Sequence, residues 1–167
     1  MGRYWDSRNH AEYYHVAIDW LSHLQGKRVL DIGCGDTPIV LWGDFEWRYA
    51  MDTGNFSSWF PPTVSFIQED FTTFDFNGVI YDCIICLQVL EHIQDIQDII
   101  NKIISNCDVC ILSLPHMWKP DPVHYHNFIS VEQFLAYINL KPEKFVITKC
   151  NRMIGLWRPN ASHLRNS

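Results

Sequence analysis

Two carboxylates and two glycines are crowded into Asp31-Ile32-Gly33-Cys34-Gly35-Asp36, directly after the apolar pair Val29-Leu30. The glycines admit backbone angles and a closeness of approach that side chains block, which is how a strand turning into a helix seats a nucleotide-like ligand. The acids decide the charge of that ligand. A dinucleotide site keeps anions away from the pyrophosphate and wants a small residue three places after the second glycine, whereas here Pro38 stands there, with Asp31 and Asp36 close by. The pattern predicts an adenosine-bearing cation with a sulfonium and an ammonium, as S-adenosylmethionine is. Further along stand residues able to work on such a ligand and its reaction partner: Asp52, Glu69 and Asp70, Glu91 and His92, then His116, His124 and His126.

Asp52 falls roughly twenty residues past the glycine turn, at the end of a short strand, where an acid can accept both hydroxyls of a ribose or else cap a loop. Leu87 and Gln88 end a strand at the switch point where open α/β sheets bind ligands. Glu91 and His92 start the following helix, where Glu91 is a favourable charge and His92 is either a hydrogen-bonded ring or a group facing the reaction partner. The long polar loop from Pro115 to Ser130 also holds Asp121 and Tyr125. Its histidines could deprotonate a hydroxyl as a group is transferred, or could belong to a solvated loop.

Taken in order, Val29-Leu-Asp-Ile-Gly-Cys-Gly35, Asp52, Glu69-Asp70 and Tyr81-Asp-Cys-Ile-Ile-Cys-Leu-Gln-Val-Leu-Glu-His92 resemble the motif series of Rossmann-like S-adenosylmethionine-dependent methyltransferases. The resemblance covers residues 29–92 and extends less specifically to about residue 158. It implies an α/β fold with a doubly wound sheet of seven strands, the last antiparallel, here with shortened helices between strands 1 and 4. It also implies that Asp31, Gly33, Cys34, Gly35, Asp52, Glu69, Asp70, Leu87 and Gln88 hold the cofactor. Asp52 would take the ribose, and Asp70, or Glu69 in its place, the adenine amino group. His92, His116, His124 and His126 are the candidates to serve the acceptor. Terminal-ribose RNA methyltransferases hold a metal on a cluster similar to Glu91, His92, His124 and His126, but their first metal acid would fall at Gln88, a neutral amide, so no metal is expected. The aromatics Tyr4, Trp5, Tyr13 and Tyr14 could lie over the cofactor, where a π face attracts a sulfonium, or pack in the core.

Three functions follow from these residues. The first is methyl transfer from S-adenosylmethionine to an oxygen or nitrogen of a small acceptor, a sugar or other metabolite. The second is a metal-assisted RNA 2'-O-methyltransferase, and the third a catalytically silent subunit that binds the cofactor. A net charge of -6 supplies no general attraction for a polyphosphate backbone and favours the small acceptor over nucleic acid.

The 167 residues fit one domain with a hydrophobic content of 47%. It divides into an N-terminal helix 10–24, a cofactor half 27–92, an acceptor-side half 93–158 and a tail 159–167. The start of the chain has neither a signal peptide nor a myristoylation pattern, and no apolar run is long enough to span a bilayer, so the expected compartment is the cytoplasm. Cys83, Cys86, Cys107 and Cys110 have zinc-ribbon spacing. They lie in apolar, β-branched runs without a turn residue, where residues three apart face opposite sides, so they read as reduced core cysteines.

The elements that must position these groups follow from periodicity and breakers. Strands are expected at 28–32, 47–51, 64–68, 80–87 and 109–114, with a closing hairpin at 145–150 and 153–157. Helices are expected at 10–24, briefly from Pro38, at 91–105 with Ile96, Ile99, Ile100 and Ile103 on one face, and after the capping box Ser130-Val-Glu-Gln133. Phe56, Trp59 and Phe60 are expected to cover the sheet where a helix is missing.

Overall fold

The computed structural model describes residues 4–119, 122–126 and 129–159. Asp121, in the candidate loop, and residues 160–167 of the tail lie outside the described residues. Seven strands are present: β1 Gln25–Ile32, β2 Asp44–Asp52, β3 Val64–Gln68, β4 Tyr81–Leu87, β5 Cys107–Pro115, β6 Lys144–Ile147 and β7 Arg152–Trp157. They form one sheet in the order β3-β2-β1-β4-β5-β7-β6, in which only β7 runs antiparallel to its neighbours. The strand order reverses between β1 and β4. There the C-terminal ends of two parallel strands diverge and leave a crevice for a ligand.

Strands β4 and β5 are apolar almost without interruption because both their faces are covered. On one face α3 (Ile96–Ser105) and α4 (Val131–Ile138) bury Ile99, Ile100, Ile103, Phe134 and Ile138. Each of these large apolar side chains contributes roughly 1.5 to 3 kcal/mol. The capping box is present: Ser130 Oγ accepts from Gln133 N at 3.2 Å, and Gln133 Oε1 accepts from Ser130 N at 2.9 Å. On the other face α2 (Glu12–Leu21) packs Tyr14, Ala17 and Leu21 against the sheet.

The connections between β1 and β4 carry no α-helix. A single 3-10 turn, Ile39–Leu41, joins β1 to β2. Arg48 of β2 holds that corner, donating from Nη1 to the Val40 and Trp42 carbonyls (2.9 and 3.2 Å) and from Nη2 to Gly43 O (2.8 Å). Phe60 stacks on Phe66 at 6.0 Å, but Trp59, expected to cover the sheet, is 41% exposed.

Two expected helices differ. The helix expected at 10–24 is the shorter α2, and an unexpected helix α1 (Tyr4–Arg8) precedes it, tied to the glycine loop by the Trp5 amide, which donates to Asp36 Oδ1 at 3.0 Å. The helix expected from Glu91 begins only at Ile96. Glu91 and His92 instead occupy a 3-10 turn, Leu90–His92, because the Ile93 and Gln94 carbonyls are taken by the His126 ring at 2.9 and 3.1 Å.

All four zinc-spaced cysteines lie within β4 and β5 and are buried. Cys83 and Cys86 face opposite sides of the sheet, as their spacing requires, but Cys107 and Cys110 share one core cluster. Cys107 is the first residue of β5, where strand alternation has not yet set in.

Candidate functional site

The turn after β1 builds the site. Gly33 and Gly35 adopt left-handed φ values of +67° and +51°, and their surroundings differ. A Cβ on Gly33 would lie 2.3 Å from Val89 Cγ2, whereas a Cβ on Gly35 would meet nothing within 4 Å. Gly33 is therefore required by packing, and Gly35 faces open space.

Two cavities meet at Gly33. The first, of about 150 Å³, is lined by Tyr4, Tyr14, Asp31, Cys34, Leu87 and Gln88, with Gly35 and Thr37 at its edge. The second, of about 520 Å³, is lined by Asp52, Glu69, Asp70, Phe71, Thr72 and His92 among others. Every cofactor residue expected from the sequence lines one of these cavities.

Asp31 is 3% exposed, and its Oδ2 has no hydrogen-bond partner among the described residues. Burial, with Asp52 adding a second negative charge, pushes its pKa well above the usual carboxylate range. An orphaned buried carboxylate beside a cavity walled by Tyr4 and Tyr14 fits a ligand that brings a cation. Cys34 is held as a thiol, its pKa raised mainly by burial and then by Asp31.

The Asp52 carboxylate is partly engaged by the protein itself. Oδ2 accepts from Gly35 N and Oδ1 from Gly54 N, each at 2.9 Å, which ties the glycine loop to the end of β2. Each oxygen keeps a second lone pair for a ligand. Asp70 accepts from both the amide and hydroxyl of Thr72 at 2.8 Å, and these bonds hold its pKa below the usual value. Glu69 lies beside it on the same cavity wall.

Gln88 is a non-glycine residue at φ +58°, immediately after β4. Its backbone N and its Nε2 both donate to Ser113 Oγ at 3.0 Å. Ser113 is fully buried in β5, and sequence reading passed over it; a lone hydroxyl inside the run Ile111-Leu112-Ser113-Leu114 was the available signal. Thr37 was also missed. Its hydroxyl donates to Cys34 O at 2.8 Å and braces the glycine loop.

The candidate histidines go to different places. His124 joins Glu91 and His92 in one group whose ligand atoms lie within 4.8 Å of one another, with the two rings 4.6 Å apart. Glu91 is 2% exposed, its Oε2 has no partner among the described residues, and burial pushes its pKa up to about 7. His92 Nδ1 donates to Val123 O at 2.9 Å, which leaves the Nε2 lone pair as the acceptor of the neutral ring. His126 is a structural staple on the carbonyls of Ile93 and Gln94, and Tyr125 N and His126 N donate to Glu91 O at 2.9 and 3.3 Å. His116 lies apart, near Glu132 of α4, with its amide donating to Asn151 O at 2.9 Å.

A sheet in this order, with its ligand crevice between β1 and β4 and an acid-flanked glycine turn, defines a Rossmann-like methyltransferase fold. A methyltransferase-domain family model matches residues 7–115, and the chain belongs to that family, in its class I, S-adenosylmethionine-dependent form.

Solved structures share the fold at low identity. A chain of the complex between the Haloferax volcanii Trm112 methyltransferase activator and a methyltransferase superposes with a TM-score of 0.75 at 9% identity, covering 92% of each chain. An S-adenosylmethionine-dependent methyltransferase from Mesorhizobium loti gives 0.73 at 12% identity, covering 90% of this chain and 99% of the other. The small RNA methyltransferase HEN1 gives 0.74 at 14% identity over 90% of this chain, but only 26% of its own. No curated protein matches the sequence. No helix among the described residues is long and apolar enough to cross a membrane.

Proposed function

We propose that the chain transfers a methyl group from S-adenosylmethionine to an oxygen or nitrogen of a small acceptor. The observation that carries this reading is the orphaned carboxylate of Asp31 at the end of the tyrosine-walled cavity. S-adenosylmethionine supplies a methyl group already activated by its sulfonium charge. The protein is left with binding and alignment.

Asp31 meets the cationic end of the methionine moiety, Asp52 accepts the ribose hydroxyls, and Asp70 or Glu69 accepts the adenine amino group. Tyr4 and Tyr14 wall the small cavity. Gln88, held by Ser113, closes the strand end against which the acceptor is aligned. His92 Nε2 can take the acceptor proton, because its Nδ1 proton is committed to Val123 O. The net charge of -6 favours a small acceptor over a polyphosphate chain.

Calorimetric titration with S-adenosylhomocysteine tests the cofactor, and screening acceptor pools for methyl transfer tests the activity. Tight binding of NAD with no response to either methionine cofactor would end the proposal. Binding without turnover on any acceptor would leave a silent cofactor-binding subunit.

A second reading, a metal-assisted ribose methyltransferase acting on RNA, is favoured by the group Glu91, His92 and His124. The free Glu91 oxygen and the His92 Nε2 lone pair have the chemistry of metal ligands, with His92 braced through its other nitrogen as metal-binding rings usually are. Against it, the amide of Gln88 stands where an acid ligand is wanted, and Ser113 already engages it. Titration of the full chain with Mn²⁺ separates the readings. Binding abolished by His124→Ala would favour the metal, and no binding would favour the metal-free mechanism.

A further inference from the structure

At the ligand end of the sheet, where Arg152 of β7 pairs with Pro115 of β5, lies a second groove of about 410 Å³. Its walls include Arg8, Glu12, Tyr13, Trp118, Lys149 and Arg152. Three fixed cations face one carboxylate there, in a chain whose net charge is -6. That carboxylate is already engaged, since Glu12 Oε2 accepts from the Lys149 amide at 2.6 Å. Among the described residues the one ion pair, Arg158 with Glu143, involves none of these cations.

Arg152 is oriented before any ligand arrives. Its Nη1 donates to the carbonyls of Cys150 and Asn151 at 3.4 and 3.2 Å, and its guanidinium lies 4.1 Å over the Trp118 ring. The remaining N–H donors have no protein acceptor among the described residues. A guanidinium laid on an indole with an unused edge is prepared for two parallel hydrogen bonds to a phosphate, and Lys149 and Arg8 add charge at the same groove.

The groove shares a wall with the cofactor cavity. The ring of Tyr13, which lines the groove, lies 4.2 Å from that of Tyr14, which lines the cavity, in a tilted contact, and Arg8 lies 5.4 Å from the ring of Tyr4, another cavity residue.

We propose that this groove binds the phosphate of a small phosphorylated acceptor, a sugar phosphate or mononucleotide, and so sets which hydroxyl or amine faces the methyl donor. The inference rests on the methyl-transfer reading above. It narrows the acceptor to molecules with an anionic end within reach of the reacting group.

The test uses the full chain saturated with S-adenosylhomocysteine. It is titrated with ribose 5-phosphate, glucose 6-phosphate, AMP and inorganic phosphate, with ribose and glucose as uncharged controls. At least one phosphorylated probe is expected to bind about tenfold or more tightly than its control. The double variant Arg152→Gln, Lys149→Gln should weaken that binding by roughly tenfold or more, while S-adenosylhomocysteine affinity stays within about twofold and the melting curve confirms folding. Arg152→Lys, which keeps the charge and loses the fork, should fall between.

Failure of all three phosphorylated probes to bind overturns the proposal, as does binding that the double variant leaves unchanged. A single-stranded oligoribonucleotide that binds with steep salt dependence while the small phosphates do not would overturn it in favour of RNA. If S-adenosylhomocysteine does not bind but the phosphates do, and the double variant loses them, the groove stands and the donor assignment falls.

Discussion

The cofactor cavities and the acceptor mouth share a sheet edge but are assembled differently. On the cofactor side most functional groups belong to one local turn or to the end of an adjacent strand, and each is tied to its neighbours: Asp52 to Gly35 and Gly54, Thr37 to Cys34, Asp70 to Thr72. At the mouth, Glu91 and His92 meet His124 only because a loop some thirty residues on is stapled over them by His126, Tyr125 and the Val123 carbonyl. A locally built site tolerates chain variation elsewhere. One assembled across loops depends on a few long-range hydrogen bonds, so acceptor identity is the property most easily changed in this fold.

Gly33→Ala should break the cofactor side most completely. It combines a left-handed backbone with a Cβ 2.3 Å from Val89, and roughly 3 kcal/mol or more of stability should be lost along with S-adenosylhomocysteine binding. Gly35→Ala is its control. With open space around the new Cβ, denaturant titration should register only the backbone cost, about 1 to 2 kcal/mol. Equal losses in the two variants would remove the distinction between a packing glycine and an open one.

Asp31 sharpens the comparison through pH. Its raised pKa means that the ligand-free protein is most stable below the ordinary carboxylate value and loses that contribution as pH rises through the elevated one. A cationic ligand reverses the preference by favouring the charged form, so binding should release a proton, and calorimetry in buffers of different ionisation enthalpy should detect it. Asp31→Asn should stabilise the empty protein at neutral pH and weaken the cofactor by about 1.5 to 3 kcal/mol. No proton release and unchanged affinity would place the ligand's cation elsewhere.

Asp52→Ala should weaken S-adenosylhomocysteine by a similar 1.5 to 3 kcal/mol, roughly tenfold or more, and also free Gly35 from the end of β2. At the mouth, His126→Ala should cost only about 1 kcal/mol of stability and leave cofactor affinity intact. It should still lower turnover, because the loop that carries His124 loses its staple. Full turnover in that variant would show that the mouth does not depend on the loop. The smallest effect is expected at Trp59→Ser, within about 0.5 kcal/mol, since that ring is 41% exposed.

Much of the cofactor side could be read from the chain alone because its determinants are short-range. The span of β3, the glycine turn, the brief helix after Pro38 and the capping box at Ser130 each follow from residues within a few positions. What could not be read was set by partners far along the chain. The isoleucine periodicity of α3 was plain, but its start moved from Glu91 to Ile96 because His126 captures the Ile93 and Gln94 carbonyls that an earlier start would need. No window of local sequence contains that bond. The same holds for α1, which is tied to the glycine loop by a hydrogen bond from Trp5 to Asp36, and for Gln88, whose left-handed backbone is braced by Ser113.

Arg48 holds the corner between β1 and β2 by drawing the carbonyls of Val40, Trp42 and Gly43 onto one guanidinium, and only one 3-10 turn remains where a full helix could follow the glycine loop. A full helix would aim the positive end of its macrodipole at the bound ligand. Three residues cannot sum to a comparable field. The electrostatics of the small cavity are therefore left to side chains, chiefly Asp31, which gives up its proton as a cation arrives, with Asp52 behind it, and a phosphate finds no helix end there to receive it.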